Sequence, residues 1–291
     1  MPITYRTYKK REDLELQTNL WLKATKNLPW AWKPNNTQKW FTEQMNFDPN
    51  SKLYAYDGDS TPIGYVSSIR REGYTPMGFP WVSDGYEGEI QDYLFDTVYN
   101  YALKNFDTKS FLQRFRKEWK YQIEFFEKKG FRLAWSNPIY VLELPNKQIN
   151  ESNGEFESII HDKIILDPLI EIVNYDDEYK KEDKEEIKSY FEADIQLDWV
   201  LQLNHDSKPV AMSAFTCRKD TGYAELNLLA VNHEYPKALN LALEMTINEL
   251  VSKRFKYFSK TVHKDDPRID FYESYNFKLT SESVFYSKKL D

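Results

Sequence analysis

The stretch FYESYNF, Phe271 to Phe277, reads as the end of a short helix, and FFEKKGF, Phe125 to Phe131, reads the same way about half a chain earlier. A helix end written twice points to an internal repeat, and a repeat decides the architecture before any single element does. Sliding the chain on itself by 147 residues aligns DGDSTPI (Asp57 to Ile63) with NHDSKPV (Asn204 to Val210). Each links two strand-like runs, LYAY to GYVSSI and WVLQL to AMSAFTC, and so reads as a hairpin connection. Val82 and Tyr86 match Val231 and Tyr235 at an offset of 149. Helical runs follow, with Ile90, Leu94, Val98 and Tyr101 in one half and Leu239, Ala242, Leu243, Ile247 and Leu250 in the other. Short strands SFLQRF and YFSKTV come next, then the two quoted helix ends, then the strand-like LAWSNPIYVLEL and LTSESVFYSKK.

The seam is the polar stretch PNKQINESNG, Pro145 to Gly154, which has no apolar periodicity. The expected organisation is a domain over residues 1–145 and a second over 155–291. The first opens with a strand (ITYRTY) and a leucine-bearing helix (REDLELQTNLWLK). The second opens with FESIIHDKIILDPLIEIVNY, apolar enough for a core, and a charged helical run in DDEYKKEDKEEIKSYF; no first strand is assigned there.

Composition bounds the function. A chain of 291 residues can hold two domains that each bury a core. No apolar run approaches the roughly 20 residues that cross a bilayer, and the N-terminus lacks a signal-peptide core, so a cytoplasmic protein without membrane partners is expected. The single cysteine, Cys217, excludes an internal disulfide and reads as a packed residue. A net charge of −7 argues against a nucleic-acid partner. The four histidines, His161, His205, His233 and His263, show no metal-ligand spacing, so no metal site is expected.

The order strand, helices, hairpin, strand, helix, strand, helix ending in aromatic-x-x-x-Gly-Phe, then strand resembles the GNAT superfamily of acetyl-CoA-dependent N-acetyltransferases, here in tandem. The resemblance is carried by AELNLLAVNHEY (Ala224 to Tyr235) with FYESYNF, and by FFEKKGF with ITYRTYKKREDLE. It implies an α/β fold of two domains, each a mixed, mostly antiparallel central sheet flanked by helices. It also implies acetyl transfer from acetyl-CoA to a small-molecule or amino-terminal amine. In the family a glutamate on the fourth strand often takes the proton of the amine, and a tyrosine on the last helix often returns one to the leaving thiolate. Carried over, these are Glu225 and Tyr272. The first half has Pro76 and Phe126 at the matching positions, and neither side chain can move a proton, so that half is read as degenerate.

The family's glycine-rich turn lets backbone amides and a helix N-terminus meet the CoA pyrophosphate. The first half has EGEIQD there, Glu87 to Asp92. One carboxylate about 4 Å from a phosphate costs roughly 4 kcal/mol at an effective dielectric near 20, about three decades of affinity. The second half has PKALNL, Pro236 to Leu241, without glycines but also without acids in the turn. The residues expected to meet the cofactor are Ala230, Val231, Lys237, Ala238, Leu239 and Asn240. His263 is a candidate for substrate contact, and Asp265 stands where many family members have an asparagine against CoA. WAWKPNNTQKW (30–40) reads as tryptophans that cement helices, or as an aromatic wall. Because neither half has a proper phosphate loop, a catalytically silent tandem that binds a ligand or a protein is the alternative. Aminoacyl transfer by a tandem of the same architecture is a third reading, on fold analogy alone.

Overall fold

The structure, a computed structural model, describes residues 2–34, 47–58, 61–151, 155–176, 179, 183–192 and 196–290. The first half runs β1 (Ile3–Thr7), α1 (Glu12–Ala24), a 3-10 turn (Pro49–Ser51), β2 (Lys52–Asp57), β3 (Thr61–Ser67), β4 (Gly73–Pro76), β5 (Trp81–Val82), α2 (Glu89–Asn105), β6 (Thr108–Arg116), α3 (Lys120–Lys128) and β7 (Arg132–Glu143). The second runs β8 (Glu157–His161), α4 (Leu166–Val173), α5 (Asp183–Glu192), β9 (Trp199–His205), β10 (Lys208–Arg218), β11 (Tyr223–Val231), α6 (Pro236–Ser252), β12 (Tyr257–Thr261), α7 (Ile269–Ser274) and β13 (Lys278–Lys289). The repeat read from the sequence is this order of elements, down to α2 and α6 at 17 residues each and β7 and β13 at 12 each.

The two quoted helix ends share one cap. Phe131 N bonds Phe126 O at 3.0 Å, and Gly130 N bonds Glu127 O at 3.0 Å. Phe277 N bonds Tyr272 O at 3.1 Å, and Asn276 N bonds Glu273 O at 2.8 Å. This is the paired bonding of a Schellman motif, which needs a left-handed residue one place beyond the residue that caps the helix. Gly130 (φ 88°) and Asn276 (φ 66°) supply it. The phenylalanine that follows folds back onto the helix, with Phe126 and Phe131 centroids 4.7 Å apart and Tyr272 and Phe277 centroids 5.8 Å apart.

The chain forms two compact units, Met1–Ser136 with Ser283–Asp291, and Asn137–Glu282. Unit 1 holds the antiparallel order β1-β2-β3-β5. It also holds β6, which pairs in parallel with β4 and antiparallel with Ser283–Lys289 of β13. Its core is aromatic: Trp21, Phe79, Trp81, Phe95, Phe111, Phe115, Trp119, Phe126 and Phe131 are all buried. Trp32, from the tryptophan-rich run, stacks on Trp119 at 5.0 Å and packs against Trp21 of α1, so the described part of that run is cement; residues 35–40 lie outside the described residues.

Unit 2 holds Ile139–Glu143 of β7, then β12, β11, β10, β9 and β8 in that order. β11 and β12 are parallel and the other pairs antiparallel. Both faces are covered, as a parallel pair requires. α6 buries Leu241, Ala242, Ile247 and Leu250 on one face with Leu201, Leu203, Leu226 and Leu229, while α4 buries Leu169, Ile172 and Val173 on the other with Val200, Met212, Leu228 and Ala230. β8 is the first strand that the sequence left unassigned. Glu157 to Ile160 are all exposed on a strand that, among the described residues, pairs only with β9, so no inside-outside alternation marks it.

Candidate active site

The site is built around the point where β11 leaves β12. The parallel ladder pairs Tyr223 with Tyr257, Ala224 with Phe258 and Glu225 with Ser259, and β11 then continues to Val231 without it. Glu225 is therefore the last rung. On its other edge β11 follows β10 throughout, with one irregularity: Leu226 opposes Phe215 and Leu228 opposes Ala214, which leaves Asn227 as an extra residue. Such a bulge turns the strand and re-aims its side chains. Ala224 and Leu226 face the α6 core before it, and Leu229 and Val231 face that core after it. By alternation, Glu225 points to the opposite face, the one that α4 covers.

Glu225 is half-buried and belongs to a polar relay. The Tyr223 hydroxyl donates to Glu225 Oε1 at 3.4 Å and lies 2.6 Å from the Ser259 hydroxyl. The bulge adds a second acceptor, because Asn227 Oδ1 is buried with no hydrogen-bond partner among the described residues. Tyr272 lies on α7, fully buried in the α6-side core, against Phe271 and Phe277 with centroids 5.5 and 5.8 Å away. A group that reaches both Glu225 and the Tyr272 hydroxyl must pass between β11 and β12 beyond the last rung. One turn along, the Tyr275 hydroxyl donates to Glu244 at 2.7 Å, and burial together with that carboxylate pushes its pKa up.

The residues expected to meet a cofactor lie from the end of β11 into the first turn of α6. Ala230 and Ala238 are fully buried, Leu239 and Asn240 half-buried and Lys237 exposed. Pro236 opens the helix, where it removes no needed donor. The strand edge itself is engaged. Asn232 N bonds Val210 O on β10 at 2.8 Å, so by alternation the backbone groups of Leu229 and Val231 face the other way, toward the edge that β12 has left. There Arg268 Nη1 donates to Leu229 O at 2.6 Å, Val231 N donates to Asp176 Oδ2 at 2.6 Å, and Arg268 Nη2 meets Asp176 Oδ1 at 2.5 Å. With this pair closed, the edge does not fit a further amide ligand.

Unit 1 differs at each place. Pro76 closes the β4–β6 ladder opposite Leu112, the rung that Glu225 holds in unit 2. Phe126, at the Tyr272 position, is fully buried. At the N-terminus of α2, Glu87 Oε2 accepts from Gly85 N at 2.8 Å, and Asp92 and Asp96 each meet Lys129 at 2.8 Å. These acids serve local partners where a phosphate would need cations.

Other candidates stand apart. His263 and Asp265 are both exposed, 3.9 Å from each other. Cys217 is buried, and its amide donates to Asp198 at 2.8 Å. A cavity of about 450 Å³ lined by Asp198, Cys217, Lys219, Gly222, Lys253, Arg254 and Phe255 sits at the start of β11 and includes neither Glu225 nor Tyr272. The sequence reading missed Asn227, Asp176 and Arg268. A bulge is a matter of register, and an ion pair between residues 92 apart leaves no local pattern.

No family model matches the chain, and no curated protein sequence does. The likeness is to solved structures. A tandem GNAT protein from the clavulanic acid biosynthesis pathway superposes with a TM-score of 0.69 at 14% identity, covering 99% of this chain and 98% of that one. A GCN5-related N-acetyltransferase from Sphaerobacter thermophilus gives 0.55 at 10% identity, covering 99% and 95%. Saccharomyces cerevisiae N-myristoyltransferase with bound myristoyl-CoA gives 0.57 at 11% identity, covering 98% and 78%. The chain has a tandem GNAT fold.

Proposed function

We propose that unit 2 transfers an acetyl group from acetyl-CoA to the amine of a small molecule or an amino terminus. The observation that carries this reading is the place of Glu225, a carboxylate at the rung where β11 and β12 part, with proline at the same rung of unit 1. An alkyl amine is mostly protonated at neutral pH, with a pKa near 10. Glu225 is the base that takes its proton. The buried Asn227 Oδ1 suits the same acceptor, since an amine is a donor and buried acceptors are normally satisfied. Tyr272 is the acid that returns a proton to the departing thiolate.

Acetyl-CoA, when bound, supplies an activated acyl thioester. The myristoyl-CoA bound by the structurally similar N-myristoyltransferase supports a donor of the acyl-CoA class. Val231 would meet it through its backbone amide only once Asp176 lets that amide go, Ala230 would lie beside it at the end of β11, and the first turn of α6, Lys237 to Asn240, would face its phosphates. Residues 1–145 are then a degenerate partner of a domain spanning 155–291, and a chain with one thiol and no paired cysteine suits the cytoplasm. Among the described residues, no helix is long and apolar enough to cross a membrane.

Two substitutions test the roles. Tyr272→Phe should slow turnover of an amine acceptor by about tenfold to a hundredfold or more, and Glu225→Gln by at least as much. Unchanged turnover in either variant removes that residue from the mechanism.

A second reading, a catalytically silent tandem that binds a ligand or a protein, is favoured by the engaged edge at Leu229 and Val231 and by the lack of a proper glycine-rich phosphate turn in either half, where α2 has Gly88 among acids and α6 has no glycine. Melting with CoA separates the two, because a bound ligand stabilises by mass action. A melting temperature indifferent to millimolar CoA supports the silent tandem.

A further inference from the structure

A strand that parts from its neighbour leaves amide and carbonyl groups that must find other partners. On β11 those groups are Leu229 C=O and Val231 N–H, and both are held by one ion pair. Asp176 comes from the segment after α4 and Arg268 from the residue before α7. Both are buried, at 5% and 8% exposure. One carboxylate oxygen takes the strand amide and the other takes the guanidinium, which donates its second nitrogen to the strand carbonyl. The pair thus presents the strand with one acceptor and one donor, as the backbone of an added strand would.

The pantetheine arm of CoA has the same vocabulary. Its two secondary amides each carry one donor and one acceptor, and an extended amide chain adds to an exposed strand edge through main-chain bonds. Such an arm and the Asp176–Arg268 pair therefore compete for the same two groups. We propose that Asp176 and Arg268 form an internal gate that sets the acyl donor's affinity: closed, it completes the edge of β11, and a CoA-class donor binds by displacing it. This rests on the reading of unit 2 as the acyl-CoA-using half. Each displaced partner would be left buried and charged, so the gate opens by moving both side chains to solvent or to new partners.

The test is titration calorimetry with CoA itself, which cannot turn over, on the full chain and on the double variant Asp176→Asn, Arg268→Met. Removing both charges avoids leaving one of them buried alone. The double variant should bind CoA at least tenfold more tightly than the unaltered chain. Equal or weaker binding by a variant whose circular dichroism is unchanged overturns the gate and leaves the acyl-CoA reading standing. No binding by either form at millimolar CoA removes both. If the variant does not fold, hydrogen exchange on the unaltered chain decides. CoA should speed exchange around residues 174–176 and 266–268 while the amides of 229–231 stay protected, whereas CoA binding that leaves the first two segments unchanged overturns the gate.

Discussion

After Pro76, the chain of unit 1 crosses from one neighbour to another: Met77 N bonds Leu112 O on β6 at 2.9 Å, and Gly78 N bonds Ser67 O on β3 at 2.8 Å. The approach at Gly78 is so close that a Cβ there would stand 2.7 Å from Ser67 O. β5 then stays with β3, and aromatic rings fill the space between it and β6. Trp81 and Trp119 meet edge to face at 6.0 Å, and Trp119 Nε1 donates to Pro29 O at 2.8 Å. After Glu225, unit 2 makes the same departure but satisfies the strand edge with Asp176 and Arg268. One topology has been completed with apolar volume in one copy and with exchangeable polar groups in the other. Packed rings have no substitute that an amide ligand can offer. An ion pair bonded to backbone can be replaced by any chain that brings a donor and an acceptor.

If that contrast is right, truncating the filler of unit 1 should have the largest effect on stability. Trp119 is 1% exposed, stacked on Trp32 and in contact with Trp21 and Trp81. Trp119→Ala should cost about 3–5 kcal/mol in urea unfolding. A loss below about 1 kcal/mol would mean that the rings are not what closes unit 1. The reciprocal change, Pro76→Glu with Phe126→Tyr, should confer no acyl transfer, because the proton-handling groups would face packed indole; any activity traced to unit 1 breaks the contrast.

A buried lysine gives the next largest effect. At the start of β2, unit 1 has Lys52, and at the start of β9, 147 residues on, unit 2 has Trp199. Lys52 Nζ donates to Ser51 Oγ at 2.7 Å and to Ser68 O, and burial, opposed by Asp48, lowers its pKa to about 7. Its unfolded value is near 10.4. Between these values the unfolded chain holds the extra proton, so stability rises with pH by up to ~1.4 kcal/mol per unit and the penalty is complete below about 7. Seven of the eight tryptophans precede Asn137, so fluorescence melts between pH 7 and 10 follow unit 1. Lys52→Met should flatten the rise, and a slope that persists in the variant excludes Lys52 as its source.

The sequence shows what is local and repeated. Apolar residues at helical spacing place α2 and α6, and the hairpins of DGDSTPI and NHDSKPV place β2–β3 and β9–β10. It also sets Pro76 against Glu225 and Phe126 against Tyr272 on one alignment, and the ladders put the first two on the same rung. What it hides is long-range or a matter of register. Nothing local tells Asn227 from its neighbours until β10 shows that it has no opposite. Asp176 sits in an acid-rich run and Arg268 beside aspartates, so each reads as a solvated charge until folding brings them to β11. The last strands are hidden for another reason. β7 and β13 have the same length and similar alternation, so their sequences suit either sheet, and only the pairing shows Ile139–Glu143 beside β12 and Ser283–Lys289 beside β6.

The smallest effect concerns the caps that end α3 and α7. Both need a left-handed residue, and the copies chose differently: glycine at 130, asparagine at 276. A methyl group at Gly130 would meet only Lys288, at 3.5 Å or more, so space does not require the glycine there. Its φ of 88° does. Gly130→Ala should cost about 1–2 kcal/mol, the strain of an L-residue in that region. Asn276→Gly relieves a milder strain but frees the unfolded chain, two terms of less than about 1 kcal/mol that nearly cancel. Equal and large losses at both positions would mean that side-chain contacts hold the caps, and the Schellman bonding would no longer explain why this helix end is written twice.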